Sequence, residues 1–494
     1  MTSPTKRTIL PALAGAGIAA MTLPATAMAD SLDAAGNGVL SDSAVINTLW
    51  VTMSAVLVLF MLAGLLCLEA GMSRMKNVGT LVPKALIAMA VAGMAYYAVG
   101  FAFAFGNGDI IGSTGFFLRA YGDPQEAFGI MGLSDALIES KWLFQFAFCA
   151  VCLAIVWGST LERIKFHAHA IFALVFAALI YPLASHWVFG GGWLQTNVGM
   201  QDFAGSTAVH LVGATGALAG LLVLGARRGK YGSDGAPRPI PGHSMLILGL
   251  GMFILLVGWF GFNAGSALGV TDGRFAEVAM VTMLGACGGI LGSYVATVLL
   301  QRKVDIGMVC NGLIAGLVAI TAGSGYVENW AAPIIGLVGG LIVVPSILLI
   351  DKKLDDPVGV LSAHGVAGIW GTLACGLFTA PRLAQYNAFG DPDGGLLYSG
   401  QFTQLIAQAV GVAVAFAFVF SLSYATFAAI KGTIGLRVSE ADEEAGLDIV
   451  EHGMYGYPEQ FIPQSDMGTS PLPGGPPAQP APVTAAVRHE EVTA

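Results

Sequence analysis

Eleven stretches of about twenty mostly apolar residues follow one another along this chain, and that repetition limits its fold before any motif is read. They fall near 45–68, 81–105, 143–161, 168–185, 203–226, 244–268, 276–300, 306–323, 330–350, 358–380 and 402–430. Each is long enough to cross a bilayer as a helix. Composition points the same way. Charged residues make up 11% of the 494 and apolar residues 55%, whereas soluble domains carry roughly 25% charged residues. The 67 glycines suit helices that approach closely in lipid. The expected fold class is an all-α integral membrane protein with 11 transmembrane helices.

The ends of the chain set its orientation. Lys6 and Arg7, an apolar core over 9–23 and Ala27-Met28-Ala29 form a secretory signal peptide, residues 1–29, cut after Ala29. The mature N-terminus is then outside, and eleven crossings put the C-terminus inside. Loops assigned to the inside carry twelve basic residues: Arg74, Lys76, Arg163, Lys165, Arg227, Arg228, Lys230, Arg238, Arg302, Lys303, Lys352 and Lys353. Those assigned outside carry four: Arg119, Lys141, Arg274 and Arg382. That bias follows the positive-inside rule. The membrane domain occupies 30–430, with a long outer loop over 106–140. Residues 431–459 form a polar cytoplasmic segment, and 460–494 a Pro/Ala-rich, disordered tail. A net charge of −9 leaves no basic surface for nucleic acid, so lipid is the expected surrounding. The six cysteines lie in apolar runs and read as small hydrophobes, with no metal site expected.

Two of the runs share a pattern. Ala208-Val209-His210 precedes Gly213, Gly216 and Gly220; Ser362-Ala363-His364 precedes Gly368, Gly371 and Gly376. They are five spans apart, an odd number, so the repeat they define is inverted: a 5+5 architecture, spans 1–5 against 6–10. Ala70-Gly71 and Ala264-Gly265 echo it. Ionisable groups within spans are costly and usually face a shared interior or cavity. Histidine is tolerable because it can stay neutral, donating from one nitrogen and accepting at the other. Paired histidines suit a central conduction path or a bis-histidine haem. No nucleophile–base or carboxylate pair is placed for turnover, so an enzyme is not expected.

Asp202-Phe203-Ala204-Gly205, Val209-His210, Gly258-Trp259-Phe260-Gly261-Phe262-Asn263-Ala264-Gly265-Ser266 and Asp355-Asp356-Pro357 before His364-Gly365-Val366 resemble signatures of the Amt/Mep/Rh ammonium transporter family. Arg74, Lys76-Asn77 and Glu162-Arg163 fit as well, and the likeness, closest to the Amt branch, runs from about Val45 to Tyr457. It implies a homotrimer in the cell inner membrane, one pore per subunit, with ammonium or ammonia as substrate and no cofactor. It implies roles too. Phe148 and Phe262 match a two-ring gate; Ser266 and Trp259 match the outer recruitment region and its surroundings, and Asp202 the carboxylate that supports it; His210 and His364 match the paired pore imidazoles; Thr321 matches a residue beside the pore. Phe189 stands where many members have tryptophan, and Glu69 where bacterial members often have tyrosine; Glu69 is expected as a solvated helix end, or bonded to Arg74 or Asn77. In the tail Gly435, Arg437, Glu444, Gly446, Asp448 and His452 resemble a regulatory motif, with a PII-type signalling protein as possible partner. The implied function is ammonium conduction. The alternative is an ammonium sensor signalling through the tail.

Overall fold

A computed structural model describes residues 40–119 and 127–461. The signal peptide and nearly all of the Pro/Ala-rich tail lie outside the described residues, as does part of the 106–140 loop. Every regular element among the described residues is a helix, without extended strands. Ten helices are long and apolar enough to cross a membrane. They are α1 (Asp42–Met72), α2 (Met75–Phe105), α3 (Ile138–Thr160), α4 (Phe166–Thr196), α5 (Ser206–Leu224), α6 (Met245–Gly265) and α7 (Arg274–Gln301), then α9 (Ala331–Ile350), α10 (Leu361–Phe378) and α11 (Thr403–Thr433).

The remaining run forms α8 (Ile306–Thr321), of 16 residues. At the usual helical rise that is about 24 Å, short of a hydrocarbon layer roughly 30 Å thick. The chain continues beyond it as buried, non-helical backbone over 322–327. Its polar groups are satisfied by neighbours: Phe203 N–H donates to Ala322 O (3.0 Å) and Ala380 N–H to Tyr326 O (2.9 Å). Irregular backbone is stable at membrane depth only when protein surrounds it in this way.

Local chemistry starts several helices. Ser41 Oγ accepts from Ala44 N–H, Ser244 Oγ from Ile247 N–H and Asp305 from Met308 N–H, each supplying an N-terminal cap. Glycine lets helices meet. A Cβ on Gly71, late in α1, would lie 2.7 Å from Leu248 N at the start of α6; one on Gly265, ending α6, would lie 2.5 Å from Ser54 Cβ in α1. These contacts are reciprocal, so α1 and α6 pack antiparallel, as the Ala-Gly echo between them anticipates. The first two turns of α5 and α10 also meet at the centre of the bundle. Outward faces of α6 and α7 expose Leu246, Phe253 and Leu299, as lipid- or protein-facing helices do.

The loops after α1, α3, α5 and α9 gather on one face. There Arg227 grips Asp355 through Nε (2.9 Å) and Nη2 (2.9 Å), Arg163 donates to Asp355 O (3.0 Å) and Arg74 Nε to Glu162 (2.5 Å). The chain after α11 lies across this face. Lys165 N–H donates to Leu436 O (3.0 Å) and Val438 N–H to Arg163 O (3.1 Å).

Candidate functional site: a gated passage past two imidazoles

Asp202 precedes α5, and its two oxygens accept the N–H groups of Gly205 and Ser206 (2.8 and 2.9 Å) and of Thr207 and Ala208 (2.9 Å each). Gly205, at φ +116°, supplies the backbone turn that aims these four donors at one side chain. Burial drives the Asp202 carboxyl up, to about 6, against the pull of those donors towards the ionised form. The helix opens as a π segment, Ser206–Leu211, that carries His210 inward. α10 repeats the device. Asp356 accepts from Leu361 N–H (2.8 Å), Gly359 has φ +81°, and His364 lies in the π segment Leu361–Val366. Aspartate, glycine three residues on and histidine eight residues on recur in both halves. In the sequence Asp356 stands out only as part of the Asp355-Asp356-Pro357 motif, with no role of its own, although the spacing it shares with Asp202 marks it.

The two histidines are buried and face each other. Their Nδ1 atoms are 3.2 Å apart, with ring centroids 5.2 Å apart and planes inclined 23°. One nitrogen of that contact must donate and the other accept, so the rings share a single proton between them. The separation is shorter than the about 4 Å that two nitrogen ligands need across one metal ion, so no haem iron fits between them. His210 Nε2 is buried without a partner. The His210 ring lies against Trp259 (centroids 5.0 Å) and Phe262 (5.5 Å).

Above His210, Phe148 and Phe262 stack at 3.9 Å with planes 10° apart and close the passage. Beyond them is a vestibule of about 260 Å³, lined by Phe148, Phe189, Asp202, Ser266, Tyr326 and neighbours, with Ile130, Met131 and Leu133 from the long loop. Ser266 Oγ donates to Phe262 O (2.8 Å), leaving its lone pairs free to accept. Phe189 stacks on Phe105 at 6.1 Å. Trp259 lies on the inner side of this region, beside Phe262: it is 1% exposed, flanks His210, and donates to Thr321 Oγ1 (2.9 Å). Thr321 is thus one residue removed from the passage and holds Trp259 in place.

Below His364 the passage reaches a space of about 10 Å³ bounded by Leu65, Glu69, Asn311, Ile314, Val358 and Val360. Glu69 is not a solvated helix end, being 8% exposed. Nor does it bond to the predicted partners: Arg74 pairs with Glu162, and Asn77 Oδ1 accepts from Leu447 N–H (2.8 Å). Asp355, unlike Glu69, has charged partners. Burial opposes its charge, but the Arg227 hydrogen bonds and the Arg163 and Arg227 charges outweigh it and hold the carboxyl down at about 2.

The tail residues dock on the same face. Asp448 accepts from Gly79, Thr80 and Gly456 N–H, and His452 Nε2 meets Thr80 Oγ1 (2.9 Å). Gly435 (φ +80°) and Gly446 (φ +106°) turn the chain, and Arg437 donates to Leu224 O (3.1 Å). Glu444 contributes its backbone carbonyl, to Lys76; the docking carboxylates are those of Glu443, which accepts from Arg228 N–H (2.7 Å) and Arg437 (2.6 Å), and Glu451. Periodicity in so short a segment does not tell which of two adjacent glutamates turns inward.

Membrane-length apolar helices around an aromatic-lined vestibule and a narrow line of buried polar groups define a multi-pass membrane protein. Residues 49–457 match the family model described as Ammonium Transporter Family, and the chain belongs to that family. It is 39% identical over 442 residues to ammonium transporter Amt2 of Archaeoglobus fulgidus, covering 87% of this chain and 92% of that one. Among solved structures, one titled "Sensor Amt Protein" aligns with TM-score 0.74 and 31% identity over 83% of this chain and 99% of its own. Candida albicans Mep2 aligns with TM-score 0.71 and 28% identity, covering 80% and 87%.

Proposed function

We propose that the protein recruits ammonium in the vestibule, removes its proton there and conducts neutral ammonia past His210 and His364. The observation that carries this reading is the unbroken order of vestibule, Phe148–Phe262 stack, imidazole pair and small far-side cavity. Ammonium leaving water needs replacement for its hydration. Aromatic faces such as Phe148 and Phe189 each supply about 0.5–2 kcal/mol, and Ser266 Oγ supplies an acceptor. Moving the bare ion further through an apolar passage costs tens of kcal/mol by Born estimates; ammonia avoids that cost and finds hydrogen-bond partners in the two rings. The proton follows a separate course, with the shared Nδ1 contact as a relay.

In this reading the chain crosses the inner membrane eleven times, α8 included, with a cleaved signal peptide at 1–29, the vestibule outside and the docked face in the cytoplasm. The protein assembles as a homotrimer, and residues 431–459 form a regulatory segment to which a PII-type protein binds. The docking of that segment on the loops after α1, α3 and α5 also favours a second reading, sensing through the tail alongside transport. Growth of a strain lacking its own ammonium transporters, on limiting ammonium, tests conduction. Wild type restores growth, while His210→Ala and Phe262→Ala, present in the membrane at equal level, do not. Full rescue by His210→Ala would contradict the proposed path.

A further inference from the structure

Glu69 occupies the last turn of α1 and borders two cavities. One is the small space below His364. The other, of about 250 Å³, lies among α1–α4 and is lined by Lys84, Glu162 and His169 as well. The titratable neighbours each have a partner of their own, although His169 Nδ1 is buried without one. Lys84 Nζ meets Glu451 Oε2 (3.0 Å) and Ile164 O (3.0 Å); Glu162 is held by Arg74 and Arg227; His169 Nε2 meets Lys84 O (3.1 Å); His364 Nδ1 meets His210. The Glu69 carboxylate itself has no hydrogen bond or ion pair among the described residues.

An ionisable group buried without a partner is costly, and chains crossing membranes keep such groups where something mobile binds them. A second observation lies on the same cavity. Asn311 donates its amide to Gly307 O (3.0 Å), and its Oδ1 is buried with no donor facing it. The cavity therefore presents two acceptors, the Glu69 carboxylate and Asn311 Oδ1, beside His364. Its volume suits about one water-sized occupant. A small cation that only donates hydrogen bonds fits this set.

We propose that Glu69 is the terminal ammonium site of the passage and the acid that restores the proton there; this rests on the ammonia-passage reading above. Ammonia leaving His364 takes the proton of the Glu69 carboxyl: the O–H bond breaks, a fourth N–H bond forms, and an ammonium–carboxylate pair results with Asn311 Oδ1 as a further acceptor. The ammonium departs into water on the tail side, and the carboxylate takes its next proton from that water. The matching position at the end of α6 is Asn263, so the repeat does not place a carboxylate at the equivalent point of the outer half.

The full chain in proteoliposomes provides the test, with initial ammonium uptake measured while the pH on the tail side is varied. Glu69→Gln is expected to lower the maximal rate at least about tenfold and to flatten the tail-side pH dependence. It should leave KM on the vestibule side within about twofold, since recruitment is untouched. Glu69→Asp keeps a carboxyl group and retains the pH dependence. A Glu69→Gln protein with wild-type rate and pH profile overturns the proposal. Absence of uptake by wild type would instead remove the ammonia-passage reading itself. If Glu69→Gln fails to fold, ammonium-induced infrared difference spectra decide: a carboxyl band present in wild type and shifted in Glu69→Asp upholds the site, and identical spectra overturn it.

Discussion

The starts of α5 and α10 are built to one plan and finished differently. Both have an aspartate, a glycine with positive φ three residues on and a histidine eight residues on, inside a π segment. At α5 both carboxylate oxygens are filled by four N–H donors; at α10 Asp356 Oδ2 takes Leu361 N–H, while Oδ1 is buried with no partner. Their surroundings diverge further. The Asp202 end opens on an aromatic vestibule of about 260 Å³, the Asp356 end on a space of about 10 Å³ beside Glu69. The repeat therefore supplies the geometry of the imidazole pair, and the residues that do not repeat supply the chemistry of each mouth. Phe148, Phe189 and Ser266 line one end, and Glu69, a carboxylate without a partner, borders the other.

The sharpest way to break the comparison lies beside Asp356. Asp355→Asn leaves Arg163 and Arg227 buried against a neutral group, and should destabilise the protein by about 3–5 kcal/mol in denaturation of the detergent-solubilised chain. Its carboxyl is held low, so the stability it gives is present above about pH 4, the unfolded value, and lost as pH falls towards about 2. A loss under 1 kcal/mol, by about the value of an exposed pair, would show the cluster to be solvated. Next come the two aspartates themselves. Asp202→Ala removes four charge-assisted bonds and should cost roughly 3 kcal/mol, against about 1 kcal/mol for Asp356→Ala with its sparser set. Equal costs would mean that the difference in bonding carries no energy. The smallest effect belongs to the vestibule rim. Phe189→Trp adds a stronger cation–π face, worth about 0.5–1 kcal/mol, and should lower KM for ammonium two- to fivefold by that estimate. An unchanged KM would place Phe189 outside the recruitment site.

Much of this was readable in the sequence because apolar length and ionisable residues are one-dimensional signals. The eleven runs all became helices, and His210 and His364 stood out as polar groups in apolar surroundings. Register and depth were harder to read. The eighth run gives 16 helical residues because buried neighbours let the chain leave the helix early, and neighbours are invisible in a linear pattern. The π segments escaped notice for a similar reason: one extra residue per turn shifts a side chain inward without changing composition. Trp259 lay in a recognisable motif, yet its position beside His210 depends on how α6 is rotated. Glu69 was misjudged because a carboxylate near a helix end is normally solvated, and only packing of α3 and α10 around it buries it.

The central claim, that charge is shed before the passage is entered, is tested most directly by setting ammonium against potassium, an ion of similar size with no proton to lose. In proteoliposomes containing the purified protein, the account predicts ammonium-driven uptake with no protein-dependent potassium flux. Potassium carried at a rate comparable to ammonium would contradict it.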